Sequence, residues 1–137
     1  MSVVDEHTRE CLGGLVDRSI TAGDLIDELD RLAAERGYPV AFRCDNGPEL
    51  ACAAMADWAG ERVGLHFIPP GEPWRNGDIE SFNARIRDEC LNLNRCWSLA
   101  HARVVIADWN DDDNHRRRHS ALCYQPPAVY AARCIHR

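Results

Sequence analysis

Apolar and polar positions follow a helical period in the segment from Trp74 to Asn92, WRNGDIESFNARIRDECLN. On a period of about 3.6 residues the apolar residues share one side of the predicted helix and the polar residues share another. The apolar stripe consists of Ile79, Phe82, Ile86, Cys90 and Leu93. The polar face consists of Asn76, Glu80, Asn83 and Arg87. The pattern predicts a helix with a core side and a solvent side, and a plain solvated surface is the simplest interpretation of the polar face in isolation.

The pattern before this helix predicts a hairpin followed by a capped helix. Two short β segments, Ser2 to Val4 and Glu10 to Val16, are joined by a polar turn. Thr21 precedes Asp24 by three residues, which is typical of a helix N-terminus, and Gly37 offers a C-terminal stop. The apolar positions of this helix keep helical spacing: Leu25, Ile26, Leu29, Leu32 and Ala33.

Short strands and helices alternate through the middle of the chain. PVAFRC is predicted to be a strand that ends at Asp45, where Asn-Gly-Pro interrupts it. Pro48 is expected to open a helix that runs to Gly64, and LHFIP is expected to be the next strand. The following loop, PPGEPWRNG, contains Trp74, which could stack on a base but for which packing in the core is the preferred interpretation.

A long helix is predicted from Ser98 through Trp109, before the charged segment NDDDNHRRRHS, and PPAVYAARC is predicted to form a last short helix. The order of two strands, helix, strand, helix, strand and helices predicts an α/β layer structure with helices covering a mixed sheet. Sites in such sheets gather at the carboxyl ends of strands. Asp45 lies at one such end.

Length and composition favour one compact domain that stays in the cytoplasm. The chain has 137 residues, 45% of them hydrophobic, with no apolar run long enough to cross a membrane and no signal-peptide pattern. The cysteines are odd in number and contain no C-x-x-C pair, which argues against a disulfide framework and a zinc ribbon and predicts reduced, mostly buried thiols. They are Cys11, Cys44, Cys52, Cys90, Cys96, Cys123 and Cys134.

Charge is unevenly distributed along the chain, whose formal net charge is -6. Up to Ile68 there are 6 arginines against 13 acids, whereas from Pro69 onward there are 10 arginines against 9 acids. A surface for an anionic partner is therefore expected in the second half.

The most basic stretch runs from His115 to His119 and contains three consecutive arginines. Guanidinium groups suit phosphate oxygens, yet the aspartates at positions 111 to 113 could pair with these arginines instead. The two histidines have a spacing that suits a metal, but no third ligand has a firm spacing, so a metal site there is a poor interpretation.

Asp45 and Glu80 are the carboxylates that could carry chemistry, one at a strand end and one in the first turns of a helix. Phosphoryl transfer assisted by two Mg²⁺ ions needs oxygen ligands from separate rigid elements that converge on one point. From the residues alone this signal is weak, because acids are plentiful in this sequence.

Three motifs in order strengthen that interpretation: RCDNGPEL, PPGEPWRNGDIESFNARIRDECLN and RRRHSALCYQPPAVYA. Together they resemble the catalytic core of bacterial insertion-sequence transposases of the DDE type, relatives of retroviral integrases with an RNase H-like fold, over nearly the whole chain. The resemblance implies that Asp45 and Glu80 are the second and third catalytic metal ligands, with Mg²⁺ or Mn²⁺ as the cofactor. It also implies DNA contacts near the site and in the basic stretch, by Asn46, Asn83, Arg87, Arg116, Arg117 and Arg118.

The sequence also departs from the family pattern. The strand with the first family aspartate would precede the VVDEHTREC segment, and this chain begins at Met1, two residues before it. Asp5 is the nearest acid, but it corresponds to the hairpin, so a structural or solvated role is expected. Asp113 stands where the family often has an aromatic residue, and Arg117 or Arg118 stands where proline is common, which we interpret as drift after loss of function.

These features predict an RNase H-like integrase core whose mixed sheet, flanked by helices, lacks its first strand. We expect a single domain over residues 1–137, with the hairpin and strands in 1–68 and the Glu80 helix and basic helices in 69–137. Metal binding is expected to be weak and strand transfer by this chain alone undetectable. The alternatives are a non-catalytic module that dimerises or that binds and dampens full-length transposase, and a folded remnant with no role.

The charge and the predicted topology of the chain indicate which partners it should bind. DNA binding is expected to be weak, non-specific and salt-dependent, and no membrane association is expected. Loss of a central strand would separate the hairpin from the two later strands and leave backbone groups unpaired. Direct closure of the hairpin or pairing with a second copy would remedy this, and a homodimer or strand-exchanged oligomer is the favoured expectation.

Overall fold

A computed structural model describes residues 1–45, 53–69, 71–72, 74 and 77–135. The chain divides into two compact units. The hairpin unit comprises Met1–Val16 and Asp78–Arg137, and the parallel-strand unit comprises Asp17–Gly77.

Strands and helices follow one another in nearly the predicted order. In chain order they are β1 (Ser2–Val4), β2 (Cys11–Gly14), α1 (Ala22–Arg36), β3 (Ala41–Cys44), α2 (Ala53–Ala59), β4 (Gly64–Phe67), α3 (Gly77–Ile86) with a π-helical turn (Arg87–Leu91), α4 (Leu99–His115), a short 3-10 helix (Ser120–Leu122) and α5 (Pro127–Ile135). None of the described helices is long and apolar enough to cross a membrane.

The predicted hairpin is present. β1 and β2 are antiparallel, with Ser2 opposite Gly14 and an irregular register between Val3 and Val4. Asp5 closes the turn between the strands because its Oδ1 accepts hydrogen bonds from the backbone N–H groups of His7 at 2.8 Å and Thr8 at 2.9 Å. The expected structural role of Asp5 is therefore confirmed.

The predicted helix after the hairpin is confirmed as α1, including its capping box. Thr21 Oγ1 accepts from the backbone N–H of Asp24 at 3.2 Å, and the backbone N–H of Thr21 donates to the Asp24 carboxylate at 2.9 Å. Gly37 ends the helix with a positive φ of 83°, a conformation that glycine adopts without a steric penalty. The buried face consists of Leu25, Leu29 and Leu32.

β3 and β4 are parallel neighbours, in register from Ala41 opposite Gly64 to Cys44 opposite Phe67. The helix between them is shorter than predicted, since α2 ends at Ala59 and Gly64 already begins β4. The left-handed φ of 51° at Gly60 stops the helix.

The apolar stripe of α3 is largely confirmed. Phe82, Ile86 and Cys90 are buried, and the ring of Trp109 packs edge-on against Phe82 at a centroid distance of 5.5 Å. The assignment of Leu93 to this stripe is wrong, because the helical segment ends at Leu91 and Leu93 is 76% exposed.

The helix predicted from Ser98 through Trp109 is longer than predicted, because α4 continues through the aspartates to His115. Ser98 caps the helix start by accepting a hydrogen bond from the backbone N–H of His101 at 3.1 Å.

The fold class is α/β, as predicted. The described strands form two separate two-stranded sheets, β1 with β2 and β3 with β4. One sheet is antiparallel and the other is parallel, so the mixed strand directions expected for an RNase H-like core are both present.

The described cysteines are all free thiols, so the expectation that they are reduced agrees with the structure. The expectation that most are buried is met only in part: Cys11, Cys44 and Cys90 are buried, whereas Cys96 and Cys123 are exposed. Burial raises the pKa of the Cys44 thiol to about 11, and the neighbouring Asp45 charge adds to this effect. Cys52 lies outside the described residues.

Candidate functional site

Glu80 lies on the exposed side of α3, as its helical position predicts. The opposite side of the helix carries the buried Phe82 and Ile86, so packing of that side holds Glu80 toward solvent. Within the part of the chain that the structure describes, the Glu80 carboxylate makes no hydrogen bond or ion pair. Its oxygens are thus available to a cation.

Asp45 directly follows the last residue of β3 and is exposed. It lies at the carboxyl end of a parallel strand pair, which is the edge at which sites of α/β sheets gather. Because Asp45 belongs to the parallel-strand unit and Glu80 to the hairpin unit, their convergence on one metal pair stays a prediction.

The other residues predicted to lie near the metal have different surroundings. Asn83 is half-buried in α3, and Arg87 is exposed at the first position of the π-helical turn. Asn46 lies outside the described residues.

The prediction that Trp74 packs in the core is wrong, because its side chain is 70% exposed. Its loop is rich in proline and glycine, and such segments run along the surface.

The three consecutive arginines do not act as one patch, because the structure directs them to different partners. Arg116 pairs with Asp112 at 3.3 Å, a contact one helical turn back along α4. Arg117 grips the Glu89 carboxylate with both terminal nitrogens, and its Nη2 lies 2.6 Å from Oε1. Arg118 is exposed and has no ion pair or hydrogen bond with any described residue. Pairing with the preceding aspartates, which the sequence left open, is present for Arg116, whereas Arg117 makes only a longer contact of 3.6 Å with Asp113.

Asp113 is the centre of a buried charge cluster that sequence reasoning missed. Its side chain is only 1% exposed, and Arg85 Nη1 donates to its Oδ1 at 2.7 Å. Arg117 Nη1 and His119 Nε2 each lie 3.6 Å from the same oxygen. A carboxylate at this depth is stable only with cationic partners, which Arg85 and Arg117 supply.

Electrostatics in this cluster follow from burial and pairing. The Arg117 guanidinium lowers the pKa of Glu89, and Glu89 in turn raises the pKa of Arg117. Burial lowers the pKa of His119, and the arginines around it act in the same direction, whereas Asp113 opposes the shift. Arg117 and Glu89 therefore stay charged near neutral pH, while His119 favours the neutral form.

A cavity of about 270 Å³ opens beside this cluster, lined by Glu89, Trp109, Asp112, Asp113, Arg116 and Arg117. The sequence contained one signal for the cluster. Asp113 falls four residues after Trp109 and seven after Ile106, so helical spacing places it on the inward face of α4. No signal indicated its partner Arg85, which is 28 residues away.

Asn114 was likewise missed and holds the hairpin to α4. Its side-chain Oδ1 accepts from the backbone N–H of Cys11 at 2.8 Å, and its Nδ2 donates to the Cys11 carbonyl at 2.8 Å. The amide thus satisfies both backbone groups of one residue, as a neighbouring strand would.

His115 and His119 do not form a metal site in the described structure, where no cluster of three or more potential ligands occurs. His115 instead contacts Asp111, with 3.2 Å between its Nδ1 and the Asp111 Oδ1.

Comparison with known proteins places the chain among integrase cores. Two models described as "Integrase core domain" match residues 1–73 and 61–127. The insertion element IS407 uncharacterized 31.7 kDa protein of Burkholderia multivorans is 46% identical over 134 residues, a match that covers 97% of this chain and 48% of the relative. The insertion element IS476 uncharacterized 39.2 kDa protein of Xanthomonas euvesicatoria is 46% identical over 96% of this chain and 38% of the relative. The chain thus spans about half the length or less of these relatives.

Solved structures show the same fold at low sequence identity. A chain of the simian T-cell lymphotropic virus intasome, solved with the PP2A regulatory subunit B56 gamma, matches with a TM-score of 0.72 and 17% identity over 94% of this chain and 46% of that chain. The HTLV-2 integrase catalytic core domain, solved with magnesium in a dimeric form, matches with a TM-score of 0.53 and 15% identity over 91% of this chain and 77% of that chain. The fold is therefore that of the RNase H-like integrase core, and the chain belongs to the integrase core domain family.

Proposed function

We propose that this chain is the part of an insertion-sequence transposase core that supplies two metal-binding carboxylates, Asp45 and Glu80, for DNA strand transfer. The observation that carries the proposal is Glu80 itself, an exposed carboxylate without a described partner on a helix whose other side is buried. Membership of the integrase core family supports the reaction class.

The donor chemistry of the two residues fits Mg²⁺ or Mn²⁺. Both side chains are exposed carboxylates, one on a helix and one at a strand end, and hard divalent cations prefer carboxylate oxygens. Such cations, when bound, activate the attacking oxygen and stabilise the leaving oxygen in phosphoryl transfer. The HTLV-2 integrase core, which shares the fold, was solved with magnesium.

The remaining predicted site residues would position DNA rather than react with it. Asn46, Asn83 and Arg87 would flank the metals, and the basic stretch from His115 to His119 would lie near the DNA. Because the formal net charge is -6, we expect DNA binding to be weak, non-specific and steeply salt-dependent.

As a polypeptide of residues 1–137, the chain is expected to bind metal weakly and to join no DNA strands. The family uses three carboxylates, and the resemblance assigns only two of them in this sequence. Two ligands supply less negative charge and hold the ions less rigidly than three.

Mn²⁺ binding to the purified polypeptide, followed by electron paramagnetic resonance, tests the metal assignment. Glu80→Gln and Asp45→Asn should each weaken binding, because each removes an anionic oxygen ligand. Glu61→Gln is the matched control, since Glu61 is also exposed and lies outside the proposed site. Equal effects of Glu80→Gln and Glu61→Gln would show that Mn²⁺ binds only to diffuse surface charge.

An oligonucleotide nicking and joining assay tests the activity directly. No product is expected with Mg²⁺ or Mn²⁺. Metal-dependent cleavage that Glu80→Gln abolishes would overturn the expected inactivity and would show that the reaction requires the Glu80 carboxylate.

A second candidate function is a non-catalytic module that pairs with another copy or with full-length transposase. One observation favours it: the described strands form two separate two-stranded sheets, and small sheets leave backbone edges that can pair with another chain. A symmetric dimer could satisfy the edges of both copies at once.

Size-exclusion chromatography with light scattering tests the module directly. The expected result is a dimer whose fraction rises with concentration, and co-elution with full-length transposase would extend the partner to that protein. A monomer over a wide concentration range, with no co-elution, would reject this candidate.

A further inference from the structure

A second cavity of the hairpin unit, of about 410 Å³, is lined mainly by cationic and hydroxyl side chains. The polar and charged lining residues are Arg9, Arg85, Arg117, Arg118, His119, Ser81, Ser120 and Asp78. We call these residues the arginine pocket. They come from the hairpin, α3 and the segment after α4, so the fold assembles the pocket from residues far apart in sequence.

Three of the four arginines in the arginine pocket are held in place by carboxylates. Arg9 pairs with Asp78, the one acid of the lining. Arg85 pairs with the buried Asp113 at 2.7 Å, and Arg117 with Glu89 at 2.6 Å. Each carboxylate neutralises the charge of one arginine. Each pair also fixes the direction of its guanidinium group, so the N–H groups that remain are preorganised to donate hydrogen bonds.

Arg118 supplies the charge that these pairs do not cancel. It has no ion pair or hydrogen bond with a described residue, although it lines the same cavity. Four guanidinium groups therefore face three carboxylates, and one positive charge remains for an external anion.

Hydrogen-bond donors without described partners complete the arginine pocket. The hydroxyl groups of Ser81 and Ser120 make no hydrogen bond within the described residues. His119 Nε2 is buried and also has no hydrogen-bond partner in that part of the chain. The two serines are exposed, so their hydroxyl groups can donate hydrogen bonds to an anion that the arginines attract.

We propose that the arginine pocket binds a phosphate group of the DNA backbone, with Arg118 as the main charged contact and Ser81 and Ser120 as hydroxyl donors. A phosphodiester carries one negative charge and acceptor oxygens that guanidinium and hydroxyl groups recognise together. The choice of DNA over a free phosphorylated molecule rests on the proposed function. The carboxylates beside the arginine pocket would repel a second anionic group. The pocket therefore suits a single phosphodiester better than a pyrophosphate.

Fluorescence anisotropy with a labelled duplex and the polypeptide of residues 1–137 tests the arginine pocket. All measurements are made in EDTA, so the result does not depend on metal binding at Asp45 and Glu80. Arg118→Gln should weaken binding and lower the slope of log affinity against log salt by about one, because one phosphate contact is lost. Arg95→Gln is the matched control, since Arg95 is exposed and lines neither cavity.

Ser120→Ala measures the contribution of a hydroxyl hydrogen bond to DNA binding separately from the contribution of the Arg118 charge. It should weaken binding less than Arg118→Gln and leave the salt slope unchanged, because a hydroxyl carries no charge. Thermal unfolding of each variant checks the fold, which Arg118→Gln should leave intact because Arg118 has no described partner.

Inorganic phosphate distinguishes the two sources of the anion. Phosphate should compete with the duplex for wild type and should compete less for Arg118→Gln. Equal losses for Arg118→Gln and Arg95→Gln would overturn the proposal, and so would absent DNA binding at low salt. Phosphate that stabilises the protein without displacing DNA would assign the pocket to a small phosphorylated molecule instead.

Discussion

The two compact units bury different kinds of side chain. The described interior of the parallel-strand unit is apolar and consists of Leu25, Leu29, Leu32, Cys44, Met55, Trp58, Ala59, Val63 and Ile68. The hairpin unit also has an apolar core around Phe82, but the buried polar residues of the described chain, Thr8, Glu10 and Asp113, all belong to it.

This difference means that the two units should tolerate different kinds of substitution. An apolar interior depends mainly on volume, because lost methyl groups leave cavities. An interior that holds charges depends on specific partners, because a buried charge without a counter-charge is costly. Substitutions that remove charge should therefore be tolerated poorly in the hairpin unit, and substitutions that remove volume should be tolerated poorly in the parallel-strand unit.

Asp113→Ala should have the largest effect on the free energy of unfolding, a loss on the order of 3 to 5 kcal/mol, because the guanidinium groups of Arg85 and Arg117 would lose a buried counter-charge. Urea denaturation followed by circular dichroism measures it. Asp112→Ala is the control: the Asp112 side chain is 58% exposed in its pair with Arg116, so its loss should cost less than about 1 kcal/mol. Equal costs for both variants would contradict the importance of the buried charge.

Leu25→Ala should cost about 3 kcal/mol in the parallel-strand unit, because it opens a cavity at a side chain that is 1% exposed. Leu25→Met nearly conserves volume and should cost less than about 1.5 kcal/mol. The same denaturation experiment compares the two. If Leu25→Met were as destabilising as Leu25→Ala, the stability of the parallel-strand unit would depend on the detailed shape of the buried side chain rather than on its volume.

Asn114→Ala should cost about 2 kcal/mol, because both backbone groups of Cys11 would lose their partner. Hydrogen exchange gives a sharper measurement, since the Cys11 amide should lose protection. Asn92→Ala is the control, because the Asn92 amide is exposed and its hydrogen bond to Asp88 is long, at 3.5 Å. Unchanged protection of the Cys11 amide in Asn114→Ala would show that the hairpin holds without this clamp.

The smallest expected effect concerns His119, whose titration should make the free energy of unfolding depend on pH below neutral pH. Its folded pKa is lowered by burial and by Arg85, Arg117 and Arg9, with Asp113 opposing, so the unfolded chain binds the proton more readily. Stability is therefore fully present above the unfolded pKa of about 6.5 and falls as pH drops toward the folded pKa. His119→Gln should flatten this part of the profile of unfolding midpoint against pH, and an unchanged slope would contradict the assignment.

Local signals predicted the secondary structure well where the cause was local. The capping box at Thr21 and the glycine stop at Gly37 act through neighbouring residues, and both are present in the structure. The boundary errors at Gly64 and Leu93 arose where an apolar pattern continued past a turn that periodicity does not detect. Trp74 was assigned to the core on residue type alone, and residue type does not show whether any element covers it.

By itself, the sequence determined the α/β class, the exposed position of Glu80, the strand-end position of Asp45 and the resemblance to integrase cores, because each depends on short-range spacing or on motifs. Only the tertiary structure decided how the three consecutive arginines differ, with Arg116 on Asp112, Arg117 on Glu89 and Arg118 left to line a cavity. The pairing of Arg85 with Asp113, which are 28 residues apart in the sequence, is likewise visible only in the tertiary structure. The physical reason is that a charge is neutralised by whatever the fold brings within a few ångströms, and that distance is independent of separation along the chain.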